Sequence, residues 1–484
     1  MADIFVHCLP SSETRNNTPL HLLPPLTLTW VCRYWRELCL SNPSLWTDVS
    51  LGHNEADPGV DANILDLFVS RSGQLPMSLR LNHEMNDNVE QYIKGMHALT
   101  DVALTCIHRW RRLEIHALDI NFLERVLRAL ENGAAQLMFL SVSTRYIGFY
   151  GDGHVINLSR CPSLSTVCLL SPLVIPVTQT ALLRNVTKLE LRFCLSMEEC
   201  LRWIDLCPTL ERLVVRFFCT RTEPLVEELD DLVLISLEQA RIGGHTSLRR
   251  LPQLSYLEIH NLTTDSDVGP IFDVLDVPAL KALHVNMYNT VDAKPRWTHI
   301  TDLVRRSDLQ YGLEELTIVG TPMETDEIVS CLTLLPRIET LSLGKRHETE
   351  LLLIALSILR PCYDSASAVV VDDVSFSERK IPLLCPKLKA LDLANCSWTT
   401  ECLAVMVSSR CLLEKSPDAP DENPVNDCDY STTSLEKLFV EAESAPSAMQ
   451  HPEIAKFLGR GIEVLQRTPD TLSSALYSPR VVFA

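Results

Sequence analysis

The chain has 484 residues, and its 43 Lys and Arg residues against 62 Asp and Glu residues give a formal net charge of −19. A general nucleic-acid binder needs a cationic surface to neutralise phosphates, so this balance argues against that class of protein. Hydrophobic residues make up 46% of the chain and charged residues 22%, which is typical of a folded globular protein and excludes wholesale disorder.

The amino terminus and the cysteines bear on the compartment. Residues Met1 to His7 have neither the basic region nor the small-residue cleavage site of a secretory signal. No apolar run reaches about 18 residues, so we expect no membrane association. The 17 cysteines include no C-x-x-C pair, which favours buried free thiols in a reducing compartment over zinc sites. We therefore expect a cytoplasmic or nuclear protein without a metal or other cofactor.

The first fifty residues show helical spacing. Apolar side chains recur at i, i+3, i+4, i+7 and i+11, and these positions are Leu28, Val31, Cys32, Trp35 and Cys39. This spacing predicts one helix, which Ser41-Asn42-Pro43 should end because the residue before a proline is pushed out of the α region. A second short apolar group follows, from Leu45 to Leu51. Such a small module cannot bury much core alone, so we expect it to dock on its neighbour or on a partner.

This segment resembles the F-box family. Val31–Arg36 (VCRYWR) and Pro43–Trp46 (PSLW) are similar to the V-C-[RK]-x-W-R and P-x-L-W parts of the F-box motif. Ile4–Pro10 is similar to the end of the family's first helix, and Arg71–Leu79 to a run that follows the F-box in many mushroom-type fungal members. The Leu-Pro-x-Glu opening of the family is absent from the sequence. The resemblance implies an F-box-like helical module over residues 1–51.

The resemblance also implies partners and residue roles. An F-box binds the Skp-type adaptor of a cullin–RING ubiquitin ligase, whose conjugating enzyme supplies the chemistry, so it implies no catalytic residue here. The residues that it implies for adaptor binding are Ile4, Phe5, Leu9, Pro25, Leu26, Leu28, Val31 and Leu45. The residues that it implies for the core of the module are Cys32, Trp35, Leu38 and Trp46.

A repeated pattern dominates the rest of the chain. Pro-x-[Leu/Ile]-x-x-[Leu/Val]-x-[Leu/Ile/Val] recurs in six copies, which begin at Pro162, Pro208, Pro252, Pro278, Pro336 and Pro386. Looser copies without the proline lie between them, commonly about 25 residues apart, which is the period of leucine-rich repeats. In each L-x-L both apolar side chains point to one face of a strand. The pattern predicts an α/β repeat, namely an irregular right-handed leucine-rich-repeat solenoid over residues 110–445.

Connecting segments and interruptions complete the prediction. Helical spacing over 119–130 and from Thr325 to Leu335 predicts two connecting helices, the first stopped by Asn132-Gly133 and the second before Pro336. We expect residues 52–109 to form a connector with a first irregular repeat, and residues 446–484 a cap or tail. Insertions are expected at 361–380 and 414–433, and a degenerate repeat around 234–237.

The residue between the paired apolar positions of each strand predicts a partner surface. In a leucine-rich solenoid these residues line the concave face, and the ones that we predict to contact a partner are Glu114, Glu190, Glu258, His284, Thr317 and Asp392. Four of the eleven mid-strand residues are acidic and none is basic, which suggests a basic partner segment, although Arg192, Arg216 and His260 flank the same strands.

Two functions stay open. No G-x-S-x-G, H-E-x-x-H or G-x-x-x-x-G-K-[ST] motif occurs, so an enzyme is disfavoured. The first function is that of a ligase subunit that binds the Skp-type adaptor, and through it a cullin, together with an unknown protein substrate. The second is that of a leucine-rich scaffold without ligase association, whose N-terminal helices cap the solenoid. Neither requires nucleic acid or a membrane.

Overall fold

The structure, a computed structural model, describes residues 2–9, 24–52, 57–83, 89–117, 120–144, 154–176, 178–194, 196–217, 247–262, 267–287, 296–344, 349–357, 384–411, 435–441, 443–458 and 462–467. The chain divides into two compact units, residues 1–227 (unit 1) and 228–484 (unit 2). Each unit is α/β, with parallel strands that alternate with helices or turns. The degenerate repeat expected at 234–237 and the insertions expected at 361–380 and 414–433 lie outside the described residues.

Unit 1 begins with short helices and continues into strands. Its helices are α1 (Ala2–His7), α2 (Leu28–Val31), α3 (Arg33–Ser41), α4 (Pro58–Arg71), α5 (Val89–Thr105), α6 (Ile120–Asn132) and α7 (Met197–Leu206), with 3₁₀ turns at Pro43–Trp46 and Ile107–Arg109. Its strands are β1 (Asp48–Leu51), β2 (Met77–His83), β3 (Trp110–Ala117), β4 (Phe139–Thr144), β5 (His154–Val155), β6 (Thr166–Leu170), β7 (Leu173–Val174), β8 (Lys188–Cys194) and β9 (Arg212–Phe217).

Unit 2 continues the alternation. Its strands are β10 (Arg249–Arg250), β11 (Tyr256–Asn261), β12 (Leu275–Asp276), β13 (Ala282–Met287), β14 (Glu315–Val319), β15 (Thr340–Gly344), β16 (Ala390–Asn395), β17 (Lys437–Glu441) and β18 (Glu463–Arg467). Its helices are α8 (Gly269–Asp273), α9 (His299–Arg306), α10 (Thr325–Thr333), α11 (Thr349–Leu356), α12 (Thr400–Cys411), α13 (Ala445–Gln450) and α14 (Pro452–Leu458), with a 3₁₀ turn at Leu309–Tyr311. None of the described helices in either unit has the length and apolar composition that a membrane crossing requires.

The main sheet of each unit follows chain order. In unit 1 the order is β1-β2-β3-β4-β6-β8-β9, and in unit 2 it is β11-β13-β14-β15-β16-β17-β18. Every pair with a determined register is parallel. The short strands form two separate parallel pairs, β5 with β7 and β10 with β12, which the repeat pattern did not predict. A strand order without reversal is compatible with a solenoid-like repeat and differs from a doubly wound sheet.

The predicted apolar positions of the repeats lie side by side. In unit 1 the first leucine position pairs across neighbouring strands, through Leu79, Leu113, Leu140, Val167, Leu189 and Leu213. In unit 2 the same position runs through Leu257, Leu283, Leu316, Leu341, Leu391 and Leu438. All twelve side chains are fully buried. Because a fully buried leucine stabilises a fold by about 2 kcal/mol, these two rows form the central part of each core.

The turn before each strand extends the backbone hydrogen bonding between neighbouring strands. Its backbone N–H donates to the equivalent carbonyl of the preceding repeat, as from Thr187 to Ser165 and from Glu211 to Thr187 at 3.0 and 2.8 Å. The leucine that ends the turn is also buried, as at Leu164 and Leu210. The Pro-x-Leu segment therefore supplies a turn and a third apolar row, in line with the interpretation of these prolines as repeat punctuation.

The two connecting helices predicted from spacing are present. One runs from Ile120 to Asn132 and stops at Gly133, whose φ of 112° suits a residue without a side chain. The other, Thr325–Thr333, begins with a capping box between Glu324 and Glu327 and ends before Pro336. In both cases the stop that the sequence predicted is where the helix ends, within a few residues.

The N-terminal helix and the ends of the repeat array differ from prediction. The single helix expected from Leu28 to Cys39 is two helices, because Cys32 has an extended backbone (φ −160°, ψ 170°) and caps the second one. Parallel pairing begins at Asp48, inside the segment predicted as the helical module, because β1 joins β2. It continues to β18, inside the predicted tail, which pairs with β17 through residues such as Val464.

Arginine side chains connect consecutive helices. Arg306 ends α9 and donates to the carbonyl oxygens of Phe272, at the end of α8, and Leu275. Arg410, in the last turn of α12, reaches the carbonyl of Leu356, which ends α11. The last carbonyls of a helix have no partner within the helix, and a cation there also interacts favourably with the helix dipole. Each arginine therefore satisfies the end of the preceding helix.

Arg410 makes the most complete of these connections. Its side chain is 1% exposed, and its Nε, Nη1 and Nη2 atoms donate to the carbonyls of Leu356, Cys385 and Leu384 at 2.9, 3.0 and 2.6 Å. Cys385 has a left-handed backbone (φ 46°), which a residue with a side chain rarely adopts. The guanidinium thus holds a strained turn against two helix ends.

Replacement of Arg410 by methionine should lower the free energy of unfolding by about 3 kcal/mol, because three buried carbonyls would lose their donors. Urea unfolding followed by circular dichroism measures this change. The matched control is Arg305→Met, since the Arg305 side chain is 60% exposed and its loss should cost less than about 0.5 kcal/mol. Equal losses in the two variants would contradict the role given to Arg410.

Candidate protein-interaction surfaces

Large apolar side chains are exposed on the N-terminal helices. We name Ile4, Trp30, Val31 and Tyr34 the N-terminal apolar patch; their exposed fractions are 57%, 62%, 59% and 54%. Three of the four fall between residues 30 and 34. Exposed aromatic and aliphatic side chains of this size are typical of positions that a partner covers.

The local backbone explains why these side chains point outward. In helix α2 the buried residues are Leu28 and Thr29, so Trp30 and Val31 lie on the opposite side. The extended Cys32 then starts a new helix, and its Sγ accepts a hydrogen bond from the N–H of Trp35 at 3.5 Å. Because the helix is interrupted here, the apolar stripe predicted across the break does not form one continuous face.

The eight residues predicted to bind an adaptor differ in their exposure to solvent. Ile4 and Val31 are exposed, and Leu9 and Leu26 are half-buried. The other four are covered by this chain itself, and these are Phe5, Pro25, Leu28 and Leu45. An adaptor could reach those four only after a rearrangement. The sequence analysis missed Trp30 and Tyr34, although two large aromatic residues off the apolar stripe of a predicted helix were an available signal.

The four residues predicted to form the core of the module also differ in how deeply they are buried. Trp46 is 1% exposed, its Nε1 donates to the carbonyl of Cys39 at 2.9 Å, and its ring meets the edge of Phe68 at 5.1 Å. Trp35 is half-buried, with its ring 4.9 Å from that of Phe5. Trp46 therefore packs inside unit 1, against a residue outside the predicted module.

Two of the predicted core residues lie nearer the surface. Leu38 is half-buried. Cys32 is exposed, so its predicted place in the core is wrong. The physical reason is the helix break, since a residue in the cap position outside the helix does not follow the i, i+4 spacing from Leu28.

The mid-strand residues form one row in each unit, as the repeat pattern predicted. The unit 1 polar row is Glu114, Ser141, Cys168, Glu190 and Val214, and it is extended by Arg80 of β2, a basic residue that was not among the eleven predicted ones. The unit 2 polar row is Glu258, His284, Thr317, Ser342, Asp392 and Phe439. Each row lies on the face opposite the leucines, because side chains alternate along a strand.

In unit 1 the first acidic residue of the row is held between two arginines. Arg80 donates to Glu114 at 2.8 Å and lies 3.6 Å from Asp48, and Arg112 also contacts Glu114 while its guanidinium stacks 3.7 Å from the ring of Phe139. Burial by itself raises the pKa of Glu114, but the charges and hydrogen bonds of the two arginines outweigh it and lower the pKa below its usual value. The Glu114 carboxylate is therefore ionised, and the two arginines neutralise its negative charge.

The second acidic residue of unit 1 is also engaged. Glu190 is 8% exposed, and its Oε2 lies 3.1 Å from Nη2 of Arg192 and 3.5 Å from Sγ of Cys168. Burial and the neighbouring Glu190 charge raise the pKa of the Cys168 thiol to about 12, so this cysteine is neutral and unreactive.

In unit 2 a hydrogen-bonded cluster surrounds Glu258. The Tyr256 hydroxyl donates to Oε2 of Glu258 at 2.6 Å, and Nε2 of His260 lies 2.5 Å from Oε1. Burial by itself raises the pKa of Glu258. The hydrogen bond and charge of His260 and the hydrogen bond of Tyr256 lower it by more than burial raises it, so the pKa falls to about 2. Nδ1 of His284 lies 2.9 Å from Oγ1 of Thr317 in the same row.

Asp392 is the last acidic residue of the unit 2 row. It is 6% exposed and accepts the N–H of Ala394 at 3.0 Å. Each of the four acidic mid-strand residues therefore has a partner within its own chain. This removes the reason for expecting a basic partner, because a neutralised or locally bonded carboxylate attracts a cation only weakly.

The described residues contain no group of three or more His, Cys, Asp or Glu side chains that could hold a metal ion. Comparisons with known proteins add no identity: no family model matches this sequence, and a search of curated proteins finds no match. The function must therefore be inferred from the surfaces themselves.

Replacement of Glu258 by glutamine should destabilise unit 2 in a pH-dependent way. Because the folded-state pKa of about 2 lies below the ordinary 4.5, the stabilisation is present above pH 4.5 and is lost as the pH falls towards 2. At pH 7 the difference between wild type and variant should be about 3 kcal/mol, and it should shrink as the pH is lowered. Urea unfolding at a series of pH values measures it.

The matched control for this prediction is Glu314→Gln, which changes an exposed carboxylate immediately before strand β14 of the same unit. Its effect should be small at every pH. A Glu258→Gln difference that stays constant across the series would show that the carboxylate is not held in the ionised form by its neighbours.

Proposed function

We propose that this chain is the substrate-recognition subunit of a Skp–cullin–F-box ubiquitin ligase. Its N-terminal helices bind the Skp-type adaptor, and its repeats, an irregular right-handed leucine-rich-repeat solenoid, bind a protein substrate. The observation that carries the proposal is the exposure of Val31 and Tyr34, two residues of the N-terminal apolar patch, because both lie in the segment whose sequence resembles the F-box motif, Val31–Arg36.

The patch has the residue types of a protein-binding surface. Tryptophan and tyrosine are the residues most enriched at the centre of protein interfaces, and apolar burial contributes about 25 cal/mol per Å². We therefore assign adaptor binding to Ile4, Trp30, Val31 and Tyr34, with Leu9 and Leu26 at the rim. The assignment replaces the buried half of the set predicted from sequence.

The strand registers support the second half of the proposal. Parallel strands in chain order place one polar row across each unit, which is how a repeat protein presents a long surface to a partner. The ubiquitin transfer itself would take place on the conjugating enzyme of the ligase, so the proposal gives this chain no catalytic residue. It places the protein in the cytoplasm or the nucleus, where such ligases act.

A specific contact favours a second function, that of a repeat scaffold without ligase association. Trp46 packs on Phe68 of helix α4, and Leu45 is buried, so the helices before β1 cover the first part of the unit 1 core. Such a cap would be needed whether or not an adaptor binds, since the end of a repeat array exposes apolar residues.

Replacement of Val31 by aspartate should weaken binding of the full-length chain to a Skp-type adaptor by at least about tenfold, because a charge would be buried in the interface. Co-purification of the two proteins, followed by titration calorimetry, measures the loss. The matched control is Val60→Asp, since Val60 is exposed to nearly the same degree (55% against 59%) but lies on helix α4. That variant should bind like wild type.

The same experiment separates the two functions. If the wild-type chain binds no Skp-type adaptor, the ligase proposal is wrong and the scaffold function stands. If Val31→Asp and Val60→Asp weaken binding equally, the adaptor binds elsewhere and the patch has been misassigned. Unchanged circular dichroism and melting temperature in both variants exclude misfolding as the cause.

A further inference from the structure

The last strand of unit 2 lies at one end of its sheet. β18 (Glu463–Arg467) pairs with β17 along one edge, and among the described residues no strand pairs with its other edge. We call this other edge the outer edge of β18. Natural edge strands are commonly protected from further pairing by a proline or a bulge. β18 contains no proline, and its register with β17 is regular over all five residues, so it has neither form of protection.

The backbone groups of β18 alternate between the two edges. The N–H of Glu463 donates to the carbonyl of Glu436 at 2.8 Å, so the backbone groups of Glu463 point towards the neighbouring strand β17. Those of Leu465 point the same way, because the direction alternates from residue to residue along a strand. The backbone groups of Val464 and Gln466 therefore point to the outer edge, where they offer two N–H donors and two carbonyl acceptors for pairing.

The sequence of β18 is self-complementary when two copies run antiparallel. A two-fold axis at Leu465 places Val464 of one copy opposite Gln466 of the other. These are the residues whose backbone groups point outward, and an antiparallel pair exchanges both of its hydrogen bonds between such residues. The same axis places Glu463 opposite Arg467, and opposite charges in this position stabilise strand pairing. Leu465 itself, which is 37% exposed, would be covered by Leu465 of the second copy.

The charges of β17 extend this complementarity. Lys437 and Glu463 are register partners of opposite charge in the pair of β17 and β18, and so are Glu441 and Arg467. Across the four strands of two copies, each end of the pairing would therefore alternate between positive and negative residues. A second copy supplies this arrangement by symmetry, because a two-fold axis presents the same strand in the opposite direction.

We propose that the chain forms a two-fold symmetric homodimer by antiparallel pairing of β18 with β18 of a second copy. Because Leu465 is the register partner of Phe439, the unit 2 polar row would continue through Leu465 into the same row of the second copy. A substrate that contains two recognised segments would then be held at two sites at once, which raises its overall affinity. The inference goes beyond the proposed function and does not depend on adaptor binding.

Sedimentation velocity of the full-length chain at a series of concentrations tests the dimer. The strand is short, so the interface is small, and we expect a dissociation constant of about 10–100 µM. The dimer should be the main species at about 200 µM. A chain that stays monomeric at that concentration would overturn the proposal and leave the outer edge to another occupant.

Gln466→Pro tests whether the outer edge forms the dimer. Proline removes the outward N–H of this residue and leaves the hydrogen bonds to β17 in place, as it does on natural edge strands. The variant should weaken dimerisation by at least about tenfold. The matched control is Gln466→Ala, which keeps the N–H and should dimerise like wild type. If the proline variant also dimerises like wild type, the interface lies elsewhere and the proposal is wrong.

Leu465→Cys gives a new signal that misfolding of the proline variant cannot explain. On the two-fold axis the two residues form a non-hydrogen-bonded pair with Cα atoms about 4.5 Å apart, a distance that a disulfide bridges. Mild oxidation should cross-link the two copies, and mass spectrometry should locate the link at position 465 of both. The matched control is Leu351→Cys, because Leu351 is also exposed (50%) but lies on helix α11. No cross-link at 465, or an equal one at 351, would overturn the proposed register.

Adaptor binding is measured on the same proteins. Gln466→Pro should bind the Skp-type adaptor like wild type, because its substitution is on β18 and the N-terminal apolar patch is unchanged. A wild-type chain that dimerises without binding the adaptor would overturn only the proposed function. A monomeric chain that binds the adaptor would overturn only the dimer. Failure of this inference and failure of the proposed function are therefore distinguished.

Discussion

The register of parallel strands is the constraint on which the other features of each unit depend. A shift of one residue in any strand would turn its two apolar side chains to the polar face. Because Leu189 pairs with Leu213 and Leu316 pairs with Leu341, the apolar rows continue from strand to strand, and the residues between them must form a row on the other face. Burial of leucine thus fixes which polar side chains become neighbours.

The same repetition leaves helix ends without hydrogen-bond partners, and two arginines supply those partners. Consecutive parallel strands require a connection that crosses back over the sheet, and each connecting helix ends with carbonyl groups that have no partner within the helix. Arg306 and Arg410 lie at the ends of their own helices and donate to the end of the helix before. The rule is local, since an arginine in the last turn of one repeat reaches one repeat back.

The success of the sequence analysis and its failures have separate physical causes. The strands of the repeats follow from L-x-x-L-x-L, because an in-register parallel ladder needs an identical apolar spacing in every strand. The break at Cys32 could not be predicted, since the spacing of Leu28, Val31 and Trp35 is equally good for an unbroken helix. Strand β18 was missed because Val464 and Leu465 do not follow the repeat pattern, so only the pairing with β17 shows it.

The charge of the polar face of the strands shows the limit of that reasoning most clearly. The mid-strand residues alone suggested an acidic face, but residues two positions away lie on the same face of a strand. The Glu114 carboxylate forms ion pairs with two arginines. One is Arg112, two residues before it on the same strand, and the other is Arg80 on the adjacent strand. The sign of such a face is therefore decided by cross-strand pairs. It follows that the chemistry of a partner can be inferred for a repeat protein only once the register is known, because the register determines which charges are neighbours and can neutralise each other.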